Sequence, residues 1–283
     1  MDPYQKYIKT VVKTIRTKGI PVYVDRFNAQ YDDEAVNFSK EGDFLDYMNT
    51  IVHYYHPHSY FYKSEAQKNK KNKPTGFSFG ADKIAKIQLF SFSSYNGPAQ
   101  YEHEKKIYID EINHFLDEST RKGMKGLIID FSKHGGGGVW QTVTAFERYF
   151  NNTTLFAWSN AKVGLNEKKW TNMENGKIVW EKRFLRKDLQ TSIPIAVIIG
   201  KETASAGEIV ASIFKSSAMV RLFGEKSKGL LSMNSGVPVG KMYELIFTAI
   251  LQTSKDGTFS EYLTPDLVTR SPLTDAKKWI NSY

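Results

Sequence analysis

The sequence predicts an α/β fold: a small helical N-terminal domain over residues 1–75, then a core of β-α units over residues 76–283. Three observations carry this prediction. Apolar residues recur at helical spacing through the first part of the chain. From Lys86 onward, short apolar runs alternate with amphipathic stretches. Between the two, the polar segment 63–76 ends in Pro74-Thr75-Gly76 and reads as a linker.

Each element has its own signal. Asp2 caps a first helix, with Pro3 at its first position and Tyr4, Tyr7, Ile8, Val11 and Ile15 on one face as far as Gly19. A second helix begins near Asp43, lines up Phe44, Leu45, Met48, Ile51, Val52 and Tyr55, and stops before Pro57. In the core, 86–92 is a strand and 104–120 a helix ended by Gly123; 127–131 is the next strand, with a helix over 139–150. Asn175-Gly176, between 169–173 and 177–180, marks a hairpin. A strand at 195–199, a helix from Ala206 and a strand at 220–223 make a further β-α-β unit. Two strands within 242–253 and a short helix at 274–280 close the chain.

Composition narrows the function classes. Hydrophobic residues make up 41% and charged residues 24%, as in a globular protein. Cysteine is absent, which excludes disulfides and thiolate metal sites. No run reaches the roughly 18–20 apolar residues of a membrane span, and Met1-Asp2-Pro3-Tyr4 lacks a signal pattern, so a soluble chain is expected. A formal charge of +9 favours acidic partners. The densest basic stretch, 63–73, has no recognition-helix periodicity and reads as a solvated loop, so no nucleic-acid partner is expected.

Three segments could carry chemistry. Ser205, in Thr203-Ala204-Ser205-Ala206-Gly207-Glu208, follows a buried strand and opens a helix. There a hydroxyl stands clear of the sheet, and the unpaired N–H groups of the helix start face any forming anion, as acyl transfer requires. Ser205-x-x-Glu208 is equally a capping box, which would make Ser205 a helix N-cap. The second segment is Asp130 to Gly138, where four successive glycines, Gly135–Gly138, let backbone N–H groups be exposed. It lacks the pattern of a nucleotide loop. The third, His53 to Phe61, holds His53, His56 and His58; a single base at the helix exit fits the spacing better than a zinc site, and His134 is a rival base.

In this order the segments resemble the C-terminal processing, or tail-specific, serine peptidases. Residues 203–208 are similar to that family's Thr-Ala-Ser-Ala-x-Glu nucleophile segment, and Gly126–Gly137 to its strand and Gly-Gly loop. Residues 220–229 resemble its Gly-Glu-x-Thr-x-Gly turn, and Leu263-Thr264-Pro265-Asp266-Leu267-Val268 its Pro-Asp element. Ser-Lys members place a lysine just beyond that turn, where this chain has Leu230; Lys226 and Lys228 are out of register. His56-Pro57-His58-Ser59 instead resembles the Asp-Gly-His-Ser/Thr segment of the Ser-His branch, which includes tricorn-like peptidases and the nisin resistance protein.

The resemblance implies a ClpP/crotonase-like peptidase core without a PDZ domain. It implies Ser205 as nucleophile, His58 as base, and Ala206 with Gly136 or Gly137 as oxyanion donors. Glu261, in Ser260-Glu261-Tyr262, is similar in place to the acidic residue that would orient the base, and Ser59 is an alternative orienter. The implied function is a serine endopeptidase acting on extended peptide or protein substrates, with no cofactor and no metal. Ser132 and His134 stand where the family has Arg and Asn, and His56-Pro57 where it has Asp-Gly. These departures keep open a catalytically degenerate peptide-binding protein on the same fold. Two other readings are a metal hydrolase on His53, His56 and His58, and an acyl-CoA enzyme of the crotonase type.

Overall fold

The computed structural model describes residues 4–32, 36–64, 72, 75–92, 97–160, 162, 169–181, 185, 189–215, 217–253 and 260–283. In chain order the elements are α1 (Gln5–Lys18), α2 (Pro21–Gln30), α3 (Glu41–Tyr55), β1 (Tyr60–Lys63), β2 (Gly76–Phe79), β3 (Ile84–Phe92), α4 (Pro98–Arg121), β4 (Gly126–Gly137), α5 (Trp140–Ala145) and α6 (Glu147–Phe150). There follow β5 (Thr153–Asn160), β6 (Lys169–Glu174), β7 (Lys177–Glu181), β8 (Ile195–Ile199), α7 (Ala206–Phe214), β9 (Val220–Gly224), β10 (Ser232–Val239), β11 (Tyr243–Thr253), β12 (Leu267–Val268) and α8 (Pro272–Ile280). They form two compact units. The first comprises Met1–Lys68, Ser159–Lys168 and Ser232–Leu251; the second comprises Asn69–Trp158, Lys169–Leu231 and Gln252–Tyr283.

The first unit packs its helices on an antiparallel β1–β11–β10 arrangement. Ile8, Val11, Val12 and Ile15 of α1 meet Phe44, Met48, Ile51 and Val52 of α3 in one core. Tyr243, Leu245 and Phe247 of β11 alternate into the same core, as a half-buried strand dictates. Pro21 opens α2 at the position where a missing N–H is harmless. Tyr55, fully buried at the end of α3, accepts the Ile20 N–H at 2.9 Å and donates to the Thr248 carbonyl at 2.5 Å. That one hydroxyl ties the α1–α2 turn to β11.

The second unit is built on a sheet in the order β12-β9-β8-β4-β3-β2. All neighbours are parallel except the β2–β3 edge pair. Ile195–Ile199 is buried at every residue, as expected of a strand covered on both faces. Ile84, Ile128, Ala196, Ile198 and Phe223 pack against Ala276 and Ile280 of α8, while α7 packs on β4. Because β4 and β8 are adjacent and parallel, the segments leaving their carboxyl ends emerge side by side, where α/β sheets place their sites. β5, β6 and β7 form an antiparallel meander whose Asn175-Gly176 turn has φ 47° and 74°, both in the left-handed region.

Several elements differ from the sequence expectation. β4 does not stop at Phe131 but runs through the glycines to Gly137, paired to Phe92 of β3 across two register shifts. The helix expected over 139–150 breaks at Phe146, whose φ −106° and ψ 18° separate α5 from α6. The helix placed at 104–120 starts earlier, at Pro98. Residues 242–253 hold one strand, β11, whose antiparallel partner β10 lacks apolar alternation. The expected Asp2-Pro3 helix start and most of the 63–76 segment lie outside the described residues. Tyr55→Phe strands both the Ile20 N–H and the Thr248 carbonyl, and should lower unfolding free energy by about 2–4 kcal/mol in denaturant titration; a change below about 0.5 kcal/mol would show the hydroxyl bridge to be dispensable.

Candidate active site

Ser205 sits at an elbow between β8 and α7. Its φ of 51° and ψ of −119° put a non-glycine residue in the left-handed half of backbone space, a conformation that costs of order 1–3 kcal/mol. An ordinary N-cap has extended backbone. Ser205 therefore does more than the capping reading asks, although it and Glu208 do take up the capping-box arrangement. The elbow is bolted down from several sides. Thr203 Oγ1 donates to the Phe131 carbonyl at 3.0 Å and accepts the Gly200 N–H at 2.9 Å. The Ala204 N–H donates to the His134 carbonyl at 3.1 Å.

The strongest tether is Glu208, whose side chain is fully buried. One carboxylate oxygen accepts the Ser205 N–H at 2.7 Å and the Leu230 N–H at 2.9 Å. The other accepts the Ser227 hydroxyl at 2.5 Å and the Gly229 N–H at 2.9 Å. Burial pushes the carboxyl pKa above its ordinary value, while these donors pull it back down. In sequence Glu208 was visible as a capping partner; its bonds to residues 227–230 carry no local signal.

The glycine segment lies against Ser205. A methyl placed on Gly136 would fall 3.1 Å from Ser205 Cβ and 3.6 Å from its Oγ. With φ at 123° and 105°, Gly136 and Gly137 hold conformations closed to other residues. Gly207 serves the same close approach: a methyl there would lie 2.5 Å from the His134 carbonyl oxygen. The expected oxyanion donors Ala206 and Gly136 thus both flank Ser205, Ala206 in sequence and at the first turn of α7, Gly136 across the elbow. His134 is fully buried, its Nδ1 accepting the Gly136 N–H at a long 3.4 Å, its Nε2 without a partner among the described residues. Burial lowers its pKa to about 4, so the imidazole is neutral at ordinary pH.

His58 belongs to the first unit, Ser205 to the second. After α3 ends, Pro57 keeps His56 extended and the chain turns into β1. The His58 ring is buried and its Nδ1 lies 2.7 Å from Ser232 Oγ. Its carbonyl accepts Asn234 Nδ2 at 2.7 Å, and its N–H donates to His56 Nδ1 at 3.1 Å. His56, also 3.0 Å from Thr248 Oγ1, has its pKa lowered to about 4 by burial and the nearby Arg26. The hydroxyl of Ser59, the alternative orienter, accepts the Thr248 N–H at 3.1 Å. Glu261 is exposed, and its backbone carbonyl accepts the Leu231 N–H at 3.3 Å. His53 is exposed on α3, and no group of three metal-ligating side chains converges among the described residues. Ser232, 174 positions from His58, was missed because strand pairing alone brings it there.

The chain is similar to several known proteins. The model of peptidase family S41 matches residues 83–269. The chain is 26% identical over 179 residues to the nisin-resistance protein of Lactococcus lactis subsp. lactis, covering 59% of this chain and 54% of that one. It is 26% identical over 157 residues to a carboxy-terminal-processing protease of Bartonella bacilliformis, covering 55% of this chain and 33% of the other. The match therefore spans about half or less of these curated relatives. Among solved structures, a lipoprotein from Streptococcus agalactiae aligns with a TM-score of 0.75 over 100% of this chain and 98% of that chain; at 20% identity the likeness is one of fold.

Glu208→Gln tests the tether. The Ser227 hydroxyl can turn to accept from the new amide, but a backbone N–H cannot. At least one buried donor then loses its acceptor, lowering stability by about 1–3 kcal/mol. Amide hydrogen exchange at Ser205, Gly229 and Leu230 should speed up in the variant; unchanged exchange would remove Glu208 from this role.

Proposed function

The chain belongs to peptidase family S41, and on that premise we propose that it is a serine endopeptidase of the tail-specific type, cutting peptide bonds in extended polypeptides. The observation that carries this reading is the strained Ser205 elbow with Gly136 packed against its hydroxyl. Ser205 Oγ attacks the peptide carbonyl and His58 takes its proton. The resulting oxyanion is received by the Ala206 N–H and that of Gly136 or Gly137. His58 then passes the proton to the departing amine, and water repeats the sequence on the acyl-enzyme. Each oxyanion donor is worth about 2.7–4 kcal/mol of barrier, because it acts on charge present only in the transition state.

The orienting role is assigned to Ser232, whose hydroxyl bonds His58 Nδ1, in preference to the exposed Glu261. That bond occupies Nδ1, which leaves Nε2 as the nitrogen that takes the proton in this reading. A neutral hydroxyl fixes the tautomer but adds no charge opposite the imidazolium, so its removal is milder than loss of a triad carboxylate. A second reading, peptide binding without turnover, is favoured by the Gly136 N–H being held by His134 Nδ1.

A fluorophosphonate probe, a peptide-library digest and intact-mass analysis separate the two. Wild type should be labelled at Ser205 and cut peptides; Ser205→Ala should take no label, and His58→Ala should lose about 10³-fold or more in kcat. Ser232→Ala should lose about tenfold. Wild type that binds peptides yet neither labels nor cuts them establishes the second reading. Full activity in His58→Ala removes His58 from the mechanism.

A further inference from the structure

A second feature of the second unit lies just beyond the glycines in sequence. Phe156 and Trp158 of β5 face Thr171 and Lys169 of β6, and Thr171 in turn faces Trp180 of β7. Directly opposed residues of an antiparallel pair share a face, so these five line one side of the meander. Trp140, the first residue of α5, joins them: its ring centroid is 5.5 Å from that of Trp180 and 6.3 Å from that of Phe156. Trp158 meets Trp180 edge-on at 5.3 Å, with Lys169 Nζ 5.6 Å from the Trp158 ring.

Two properties separate this face from core packing. Trp180 is 46% exposed, a large apolar surface left to solvent. Beneath it, Trp158 Nε1 and Thr171 Oγ1 are both closed off from solvent with no hydrogen-bond partner among the described residues. Buried polar atoms ordinarily have partners. An occupant that satisfies both properties offers apolar side chains and amide groups together, which describes a polypeptide. The face is also near the nucleophile along the chain: Trp140 lies four residues after Gly136, a reach of at most ~14 Å. An extended peptide advances about 3.3 Å per residue.

We propose that the Trp140–Phe156–Trp158–Trp180 face is the specificity surface for the substrate chain, seating a large apolar or aromatic residue within about five positions of the attacked bond. Its side chain lies against Trp140 and Trp180. Movement of the half-exposed Trp180 ring opens Trp158 Nε1–H to donate to a peptide carbonyl. The inference rests on the peptidase reading, and binding can be tested apart from turnover.

In the full chain carrying Ser205→Ala, tryptophan fluorescence is followed as capped decapeptides are added that differ by Phe, Leu or Ser at single positions. At one or more positions, Phe and Leu peptides should bind about tenfold tighter than Ser peptides. Trp180→Ala and Trp140→Ala, made separately so that misfolding of one leaves the other to decide, should each reduce that preference to about twofold or less. Trp158→Phe, which keeps a ring but no N–H, should weaken all peptides about fivefold and preserve the preference. A preference unchanged in a folded Trp180→Ala or Trp140→Ala chain overturns the proposal, as does a wild-type library digest indifferent to side-chain size. Tryptophan-dependent binding with no cleavage by wild type would leave this inference standing and defeat the peptidase reading instead.

Discussion

The candidate site depends on one buried carboxylate. Glu208 gathers the Ser205 N–H, the Ser227 hydroxyl and the N–H groups of Gly229 and Leu230. A carboxylate removed from water is tolerated only when its lone pairs are filled. Here filling them also fixes the chain at two places, the elbow and the turn after β9. That double attachment is what holds Ser205 at a φ of 51° against its own strain. A catalyst of acyl transfer needs this rigidity, because oxyanion donors act only if they are already in place when charge appears.

The sheet supplies the rest of the geometry. Parallel pairing of β4 with β8 delivers the glycines and the elbow side by side, and glycine at 136 and 207 lets the two backbones close to contact. His134 lies at this junction with its imidazole held neutral by burial. Its Nδ1 engages the Gly136 N–H only at 3.4 Å, a bond long enough to yield to a charged oxygen. In the proposed mechanism the Gly136 N–H leaves this weak acceptor for the oxyanion.

Features encoded locally were legible in the sequence. Ile195–Ile199 and the Asn175-Gly176 turn read directly, because burial on both faces and a left-handed turn each leave a mark within a few residues. The Ser205 segment and the glycines were likewise visible. What escaped depends on distant partners. β10 is polar and interrupted by Gly236 and Pro238, and becomes a strand only against β11. Ser232 reaches His58 through that pairing. The continuation of β4 through Gly135, Gly136 and Gly137 runs against their weak strand preference and is imposed by β3. The aromatic face assembles from three strands and a helix start, so no window of sequence contains it.

A crystal structure of the chain inactivated by a small fluorophosphonate tests the central claim most directly. The account predicts phosphorus bonded to Ser205 Oγ, a phosphonyl oxygen about 3 Å from the Ala206 nitrogen and from that of Gly136 or Gly137, and Glu208 still accepting the Ser205 N–H. An adduct on another residue, or one at Ser205 with its oxygen turned to solvent and the Glu208 contact broken, would contradict it.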